Sequence, residues 1–387
     1  MPFLPLSIGI LSFAIWLYLV FARGAFWRLR PPDDDSVQHA APNKWPSIVA
    51  IVPARNEAET IGQTLVALLQ QEYPGELSVI VVDDHSEDAT SQIAQRTAQE
   101  KNAESRAQIH PASALPAGWT GKLWALNEGV TKAAVREATF YWFTDADIVH
   151  APDTLRRLVV RAEQNKLDLA SFMVLLQAKT LPERALIPAF LFFFLKLYPP
   201  RWTADANSST AGAAGGCILL RRESLERLGG FPAIRSEVID DCALARAVKR
   251  SGGKIWMGLT RASVSLRAYR SFSEIRDMIA RTAFTQLRYS TLLLAGTLAG
   301  MLFTYLAPVA LLFVHDPAPR ILGLTTWLLM SVSFLPTARF YRVSPVWAPL
   351  LPLTALFYSY STWLSAVRYW LGHGGQWKGR SQAHRVF

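Results

Sequence analysis

Apolar residues are distributed along this chain in two ways. Four long stretches carry no charge: Phe3–Ala22, Thr291–Val314, Ile321–Ala338 and Val343–Val367. Uncharged apolar runs of this length are candidates to cross a bilayer. Between the first and the second, short apolar runs alternate with amphipathic ones. Ser47–Pro53 is continuous, apolar and stopped by a proline, which predicts a buried strand. Glu59–Gln71 places Ile61, Leu65, Leu68 and Leu69 at helical spacing and is ended by Tyr73-Pro74-Gly75. Leu77–Val82 predicts a second strand. A helix should follow it through Glu100, capped by Ser86 with Glu87 and Asp88 in its first turn. Further strands are expected at Ala107–His110, Phe140–Thr144, Leu167–Met173, Cys217–Leu220 and Lys254–Met257. Strand–helix–strand units of this size predict an α/β domain, with a mainly parallel sheet flanked by helices.

Charge sharpens the picture. The chain has 387 residues and a formal charge of +10, with the excess concentrated between Arg246 and Arg288, where only Glu274 and Asp277 are acidic. A basic stretch running up to an apolar span suits anionic headgroups, and no nucleic-acid-binding motif accompanies it. Two cysteines, Cys217 and Cys242, are too few for a disulfide framework and read as buried thiols in a reducing compartment. The first apolar run lacks a basic leader and a cleavage site, and Arg23, Arg28 and Arg30 trail it. It reads as a signal anchor with the following domain in the cytosol. Pro31–Asn43 reads as a solvated linker. Pro182–Pro200 holds an apolar run too short to span, either a buried core helix or an interfacial helix beside a lipid entrance.

Candidate chemistry centres on Tyr141-Trp142-Phe143-Thr144-Asp145-Ala146-Asp147, where an aromatic run ends in two carboxylates. Beyond a strand, i and i+2 positions share a side, which suits a hard cation completed by water and phosphate. The plainer reading is a pair of residues capping the helix that begins near Pro152. Dinucleotide binding is argued against, because no G-x-G-x-x-G follows the first strand and no phosphate-binding G-x-x-x-x-G-K-[ST] occurs.

Six pieces in order carry a resemblance: IVPARNEAETI, VVDDHSEDAT, GKLWALNEG, FTDADIVHAPDTL, AGAAGGCILLRRESLERLGGF and IDDCALARAVKRSGGKI. Together they resemble a family 2 glycosyltransferase of the GT-A fold. With the flanking apolar segments and the tail Gln376-Trp377-Lys378-Gly379-Arg380, the chain is most similar to the hopanoid-associated membrane glycosyltransferases. The resemblance implies that Pro53, Ala54, Glu57, Asp83 and Asp84 hold the donor nucleotide. A strand-end carboxylate can accept the imide N–H of uracil; the alternative is that Asp83 and Asp84 cap the next helix. It also implies that Lys122 faces the diphosphate, and that Asp145 and Asp147 bind a bridging Mg²⁺ or Mn²⁺. Asp241, with Asp240 as the second candidate, would take the proton of an acceptor hydroxyl. Processive relatives carry a Gln/Arg-x-x-Arg-Trp signature; here it reads Thr285-Gln286-Leu287-Arg288-Tyr289, which keeps Arg288 for the donor but favours single transfer.

The expectation is therefore an anchor at 1–24, a linker at 25–46, a catalytic domain at 47–260 and a basic interfacial region at 261–290. Membrane segments would follow at 291–367 and a basic tail at 368–387. The expected activity is inverting transfer of one sugar from a UDP-sugar to a hydroxyl of a membrane lipid, with no nucleic-acid partner. The rivals are a processive polysaccharide synthase and a silent scaffold in lipid synthesis. The expected location is a bacterial inner membrane with the catalytic domain cytosolic. The basic tail belongs on that side by the charge rule, so Val343–Val367, broken by Pro345, Pro349 and Pro352, should dip without crossing.

Overall fold

The computed structural model describes residues 3–29 and 42–372, and the backbone of 376–377 and 380–381. The chain divides into two compact units. One comprises Arg30–Leu176, Trp202–Arg267 and Gln376–Phe387; the other comprises Met1–Leu29, Gln177–Arg201 and Ala268–Gly375.

The first unit is built on eight strands: β1 (Ile48–Ala54), β2 (Leu77–Asp83), β3 (Ala107–Pro111), β4 (Phe140–Phe143), β5 (Ile148–His150), β6 (Leu169–Leu175), β7 (Ile218–Arg221) and β8 (Ile255–Ser265). They form one sheet in the order β3-β2-β1-β4-β7-β6-β8-β5. The strands β3, β2, β1 and β4 run parallel, as do β6 and β8, while β7 and β5 are antiparallel to their neighbours. The sheet is thus mixed, with its parallel half where the repeating strand–helix pattern predicts it. Period-2 geometry explains the continuous apolar strands. Ile48, Ala50 and Val52 pack with Leu65, Leu68, Leu155 and Leu158 on one face. Val49 and Ile51 pack with Leu123, Leu126, Leu244 and Val248 on the other. The Gly121–Ala133 helix comes so close that a Cβ at Gly129 would sit 2.4 Å from Ile51 Cγ2.

Register decides what meets at the sheet's edge. Ala54 pairs with Asp83, so β1 and β2 end level, while β4 ends at Phe143, opposite Ile51. Their exits carry Glu57, Asp83-Asp84 and Asp145-Asp147 to the same edge, where open α/β sheets bind ligands. Phe143 also pairs with Ile218, so antiparallel β7 starts there and brings the glycine-rich 211–217 segment with it. The strand expected to end at Met257 continues to Ser265, and its last residues pair with the unforeseen β5. That pairing returns the chain just past Asp147 to the far end of β8.

The second unit is helical. Three of its described helices are long and apolar enough to cross a membrane: Phe3–Ala22, Thr291–Phe313 and Pro317–Phe340. The Leu351–Trp370 helix is not among them; it follows a single turn at Pro345–Trp347 and packs along Phe272–Gln286. There Ser365 Oγ accepts from Phe284 N–H at 3.1 Å, and Arg368 reaches Asp277 at 2.7 Å. The first two membrane-length helices each contain a π turn, at Tyr18–Ala22 and Leu302–Leu306. A π turn displaces carbonyls from the helical ladder; in the second, the Thr304 and Phe303 carbonyls accept from Trp16 and Ser12, both at 2.7 Å. The apolar run at 182–200 forms a helix, Leu181–Leu197, started by a capping box between Thr180 and Glu183. It belongs to the helical unit, although the sequence reading keeps it within 47–260.

Candidate active site

The loops after β1 and β2 are laced together. Asn56 and His85 both take left-handed backbone conformations, with φ of 51° and 54°. Asn56 N–H donates to Ser86 Oγ at 3.0 Å, and Asn56 Oδ1 accepts from Glu87 N–H at 2.8 Å. Ser86 therefore does not cap the next helix, which begins at Thr90; its hydroxyl donates to Asp83. Asp88, expected in that helix's first turn, precedes it and accepts from Ala58 and Thr90 N–H. Asp83 Oδ1 also accepts Ser86 N–H, so it closes the turn between the two loops. Asp84 is fully buried and lies against the His85 ring. Pro53 and Ala54 complete β1, with Pro53 facing the cleft described next.

That cleft is lined by Pro53, Lys122, Phe143, Thr144, Asp145, Gly215, Phe231, Asp240 and Asp241, among others. Lys122 stands in the first turn of its helix and bridges two loops. Its ammonium lies 2.8 Å from Asp145 Oδ1 and 3.2 Å from Asp240 Oδ2. Burial alone would lower its pKa, but Asp145 and Asp240, with Asp241 behind them, drive it upward. Lys122 is therefore a fixed charge.

Asp240 and Asp241 open the Asp240–Arg250 helix. Asp241 Oδ2 accepts Gly215 N–H at 2.9 Å, and Oδ1 accepts Cys242 N–H at 2.6 Å. Burial, then the neighbouring Asp240, raise the Asp241 pKa to about 6 against the opposing pull of Lys122 and the two amides. A carboxylate poised there is ionised at neutral pH yet basic enough to accept a proton. A Cβ at Gly215 would stand 3.1 Å from Lys122 Nζ, a tight contact that the lysine would have to relieve.

Asp147 belongs to a second cluster. Its Oδ2 accepts from Arg267 Nε at 3.0 Å and from Ser265 Oγ at 3.2 Å. The same guanidinium donates from Nη2 to Glu57 Oε1 at 2.8 Å. Sequence reasoning missed Arg267 because it stopped the last strand at Met257; the alternation Thr260, Ala262, Val264 beyond it was the available signal. Arg288, expected at the donor, lies in the helical unit just past Phe272–Gln286, with φ of 53°. Its neighbour Tyr289 stacks on Tyr369, with ring centroids 4.4 Å apart. The tail motif at Trp377-Lys378-Gly379-Arg380 lies largely outside the described residues.

The donor set can be tested for a metal. Among the described residues no three His, Cys, Asp or Glu side chains gather as ligands, so at most two carboxylates are on offer. That fits Mg²⁺ or Mn²⁺ held by one or two carboxylates plus water and substrate phosphates, and excludes an all-protein cage. Asp147 keeps one oxygen, Oδ1, outside its ion pair.

A parallel half-sheet ending in paired acids, met by an antiparallel strand and a glycine loop, is a GT-A-like fold. Residues 49–229 match the profile of Glycosyl transferase family 2. This match covers a little under half of the chain. The chain is 26% identical over 209 residues to a Staphylococcus aureus 4,4'-diaponeurosporenoate glycosyltransferase, covering 52% of this chain and 51% of that protein. It is 29% identical over 204 residues to the probable glycosyltransferase YdaM of Bacillus subtilis, covering 52% and 44%. The match spans about half the length of these relatives. In structure it is similar to the mannosyltransferase PcManGT of Pyrobaculum calidifontis, solved with GDP-Man and Mn²⁺, at a TM-score of 0.58 and 20% identity. That match covers 95% of this chain and 99% of the other, and supports the fold.

Proposed function

We propose that this protein is a membrane-bound, metal-dependent, inverting glycosyltransferase that moves one sugar from a UDP-sugar to a hydroxyl of a membrane lipid. The acceptor class we favour is a polycyclic triterpenoid of the hopanoid kind. The observation that carries the reading is Asp241, basic and partly buried in the cleft, with Lys122 fixed between Asp240 and Asp145. Asp241 takes the proton as the acceptor oxygen bonds to the anomeric carbon. The bond from that carbon to the diphosphate breaks on the opposite face, and its electron pair leaves with the nucleotide. Asp147 and Asp145 would hold a divalent cation, which would supply Lewis-acid neutralisation of the leaving diphosphate. Lys122 adds a second positive charge on that side. Arg267 keeps Asp147 paired, and Glu57, Asp83 and Asp84 would border the space for base and ribose.

One observation supports the membrane part. Two membrane-length helices follow Phe272–Gln286, so the chain returns to the side it left. Tyr289, standing where the processive signature has Trp, supports single transfer over chain elongation. The test is incubation of purified protein with Mn²⁺, labelled UDP-sugars and membrane lipid extract, with GDP-sugars in parallel. One labelled sugar per lipid is expected. Long polymers would favour a synthase, and neither donor cleavage nor transfer would favour a scaffold.

A further inference from the structure

Behind the Asp145–Asp147 loop runs a chain of buried polar groups that the proposed chemistry does not use. Ser263 Oγ lies 2.8 Å from His150 Nδ1, and His150 Nε2 lies 2.8 Å from Thr144 Oγ1. Thr144 Oγ1 continues to the Gly216 carbonyl at 3.0 Å. Thr144, His150 and Ser263 are all buried, with exposures of 1%, 2% and 0%. Such a chain is favourable only when every member is satisfied.

Its direction is fixed by counting protons. Besides His150, Thr144 Oγ1 faces the carbonyls of Gly216 and Asp145, at 3.0 and 3.4 Å, and carbonyls can only accept. The threonine proton therefore points to a carbonyl, and its oxygen accepts from His150 Nε2–H. Nδ1 is then bare and accepts from the Ser263 hydroxyl. Burial favours the same neutral ring, lowering the His150 pKa to about 3. Trp142 packs on that ring at 4.7 Å and donates from Nε1 to Cys217 Sγ at 3.3 Å.

The ends of the chain are the two halves of the candidate site. Thr144 is bonded directly to Asp145, the first carboxylate of the metal-side loop. Gly216 is bonded to Gly215, whose N–H holds the Asp241 carboxylate. We propose that His150 is a positioning residue, which through Thr144 and Gly216 sets the spacing between the metal-side loop and the loop that orients the base. This rests on the glycosyltransferase reading above. Misplacement of reacting groups by an ångström can cost about a hundredfold in rate, so the spacing matters.

The experiment compares wild type, His150→Phe and His150→Gln in melting temperature, Mn²⁺-dependent UDP affinity by calorimetry, and kcat and acceptor KM. Phe keeps the ring's bulk and removes both hydrogen bonds; Gln can keep the donor toward Thr144. Folded His150→Phe should lose about ten- to hundredfold in kcat with little change in acceptor KM. His150→Gln should regain most of that loss. A merely structural histidine would lower the melting temperature and leave the kcat of the folded protein intact, and that result would overturn the inference. Should His150→Phe fail to fold, Ser263→Ala and Ser263→Thr decide. A kcat lowered several-fold in the first and restored in the second supports the proposal, and equal wild-type kcat in both overturns it. Wild type without Mn²⁺-dependent UDP binding would overturn the functional reading and this inference together. Active wild type with an equally active, folded His150→Phe overturns the inference alone.

Discussion

The catalytic unit solves one electrostatic problem twice, and the two solutions differ in burial. In one cluster Lys122 bridges Asp145 and Asp240; in the other Arg267 bridges Asp147 and Glu57. Lys122 is 18% exposed and Arg267 is 36% exposed. The carboxylates are ordered the other way: Asp145 and Asp240 are 35% and 19% exposed, Glu57 and Asp147 13% and 10%. Arg267 therefore cannot leave unless another cation takes its place, because two largely buried carboxylates would be stranded. The contrast suits a base held in place beside a site that exchanges its cation for a metal and diphosphate.

The sharpest way to break this contrast is at the base. Asp241→Asn keeps the shape and removes proton acceptance, so turnover should fall by about 10²- to 10⁴-fold while UDP affinity is kept. Stopped assays of transfer beside UDP calorimetry check it; near-normal turnover would move the role to Asp240. Asp147→Ala comes next. It should remove the gain in UDP affinity on adding Mn²⁺, because the cation would lose one of its two carboxylates. Calorimetry with and without EDTA reads this.

A smaller effect concerns pH. Loss of the Asp241 proton acceptor at low pH should give kcat/KM an acid limb near the group's pKa of about 6. Stability runs the other way. The folded carboxyl binds its proton more tightly than an ordinary aspartate at 3.8, so its stabilising contribution is full below that value and lost as pH rises through about 6. Asp241→Asn should therefore melt higher than wild type at pH 8, and the gap should close towards pH 4. The smallest effect is at the exchangeable cation. Arg267→Met should raise nucleotide-free Mn²⁺ affinity by up to about tenfold, as expected when one charge-assisted hydrogen bond no longer competes. Mn²⁺ titration by electron paramagnetic resonance measures it.

How much of this was legible in sequence follows from what the residues interact with. The strands of the parallel half were readable because both faces of each are buried, which makes the apolar runs continuous. The pairing of the other half was not, since β5 is short and takes its meaning from β8 alone. Asp145, Asp147, Asp240 and Asp241 stood out because paired acids after apolar runs are locally conspicuous. Arg267 and His150 were hidden because each gains its role only from partners distant in sequence. Ser86 misled for the same reason: it fits a helix cap locally, but Asp83 and Asn56 claim its hydroxyl.

The most direct measurement is calorimetric titration of UDP into the detergent-solubilised full chain, once with Mn²⁺ and once with EDTA. The account predicts binding at least about tenfold tighter with Mn²⁺, since the metal joins Asp147 to the diphosphate. Equal UDP affinity under the two conditions would contradict it.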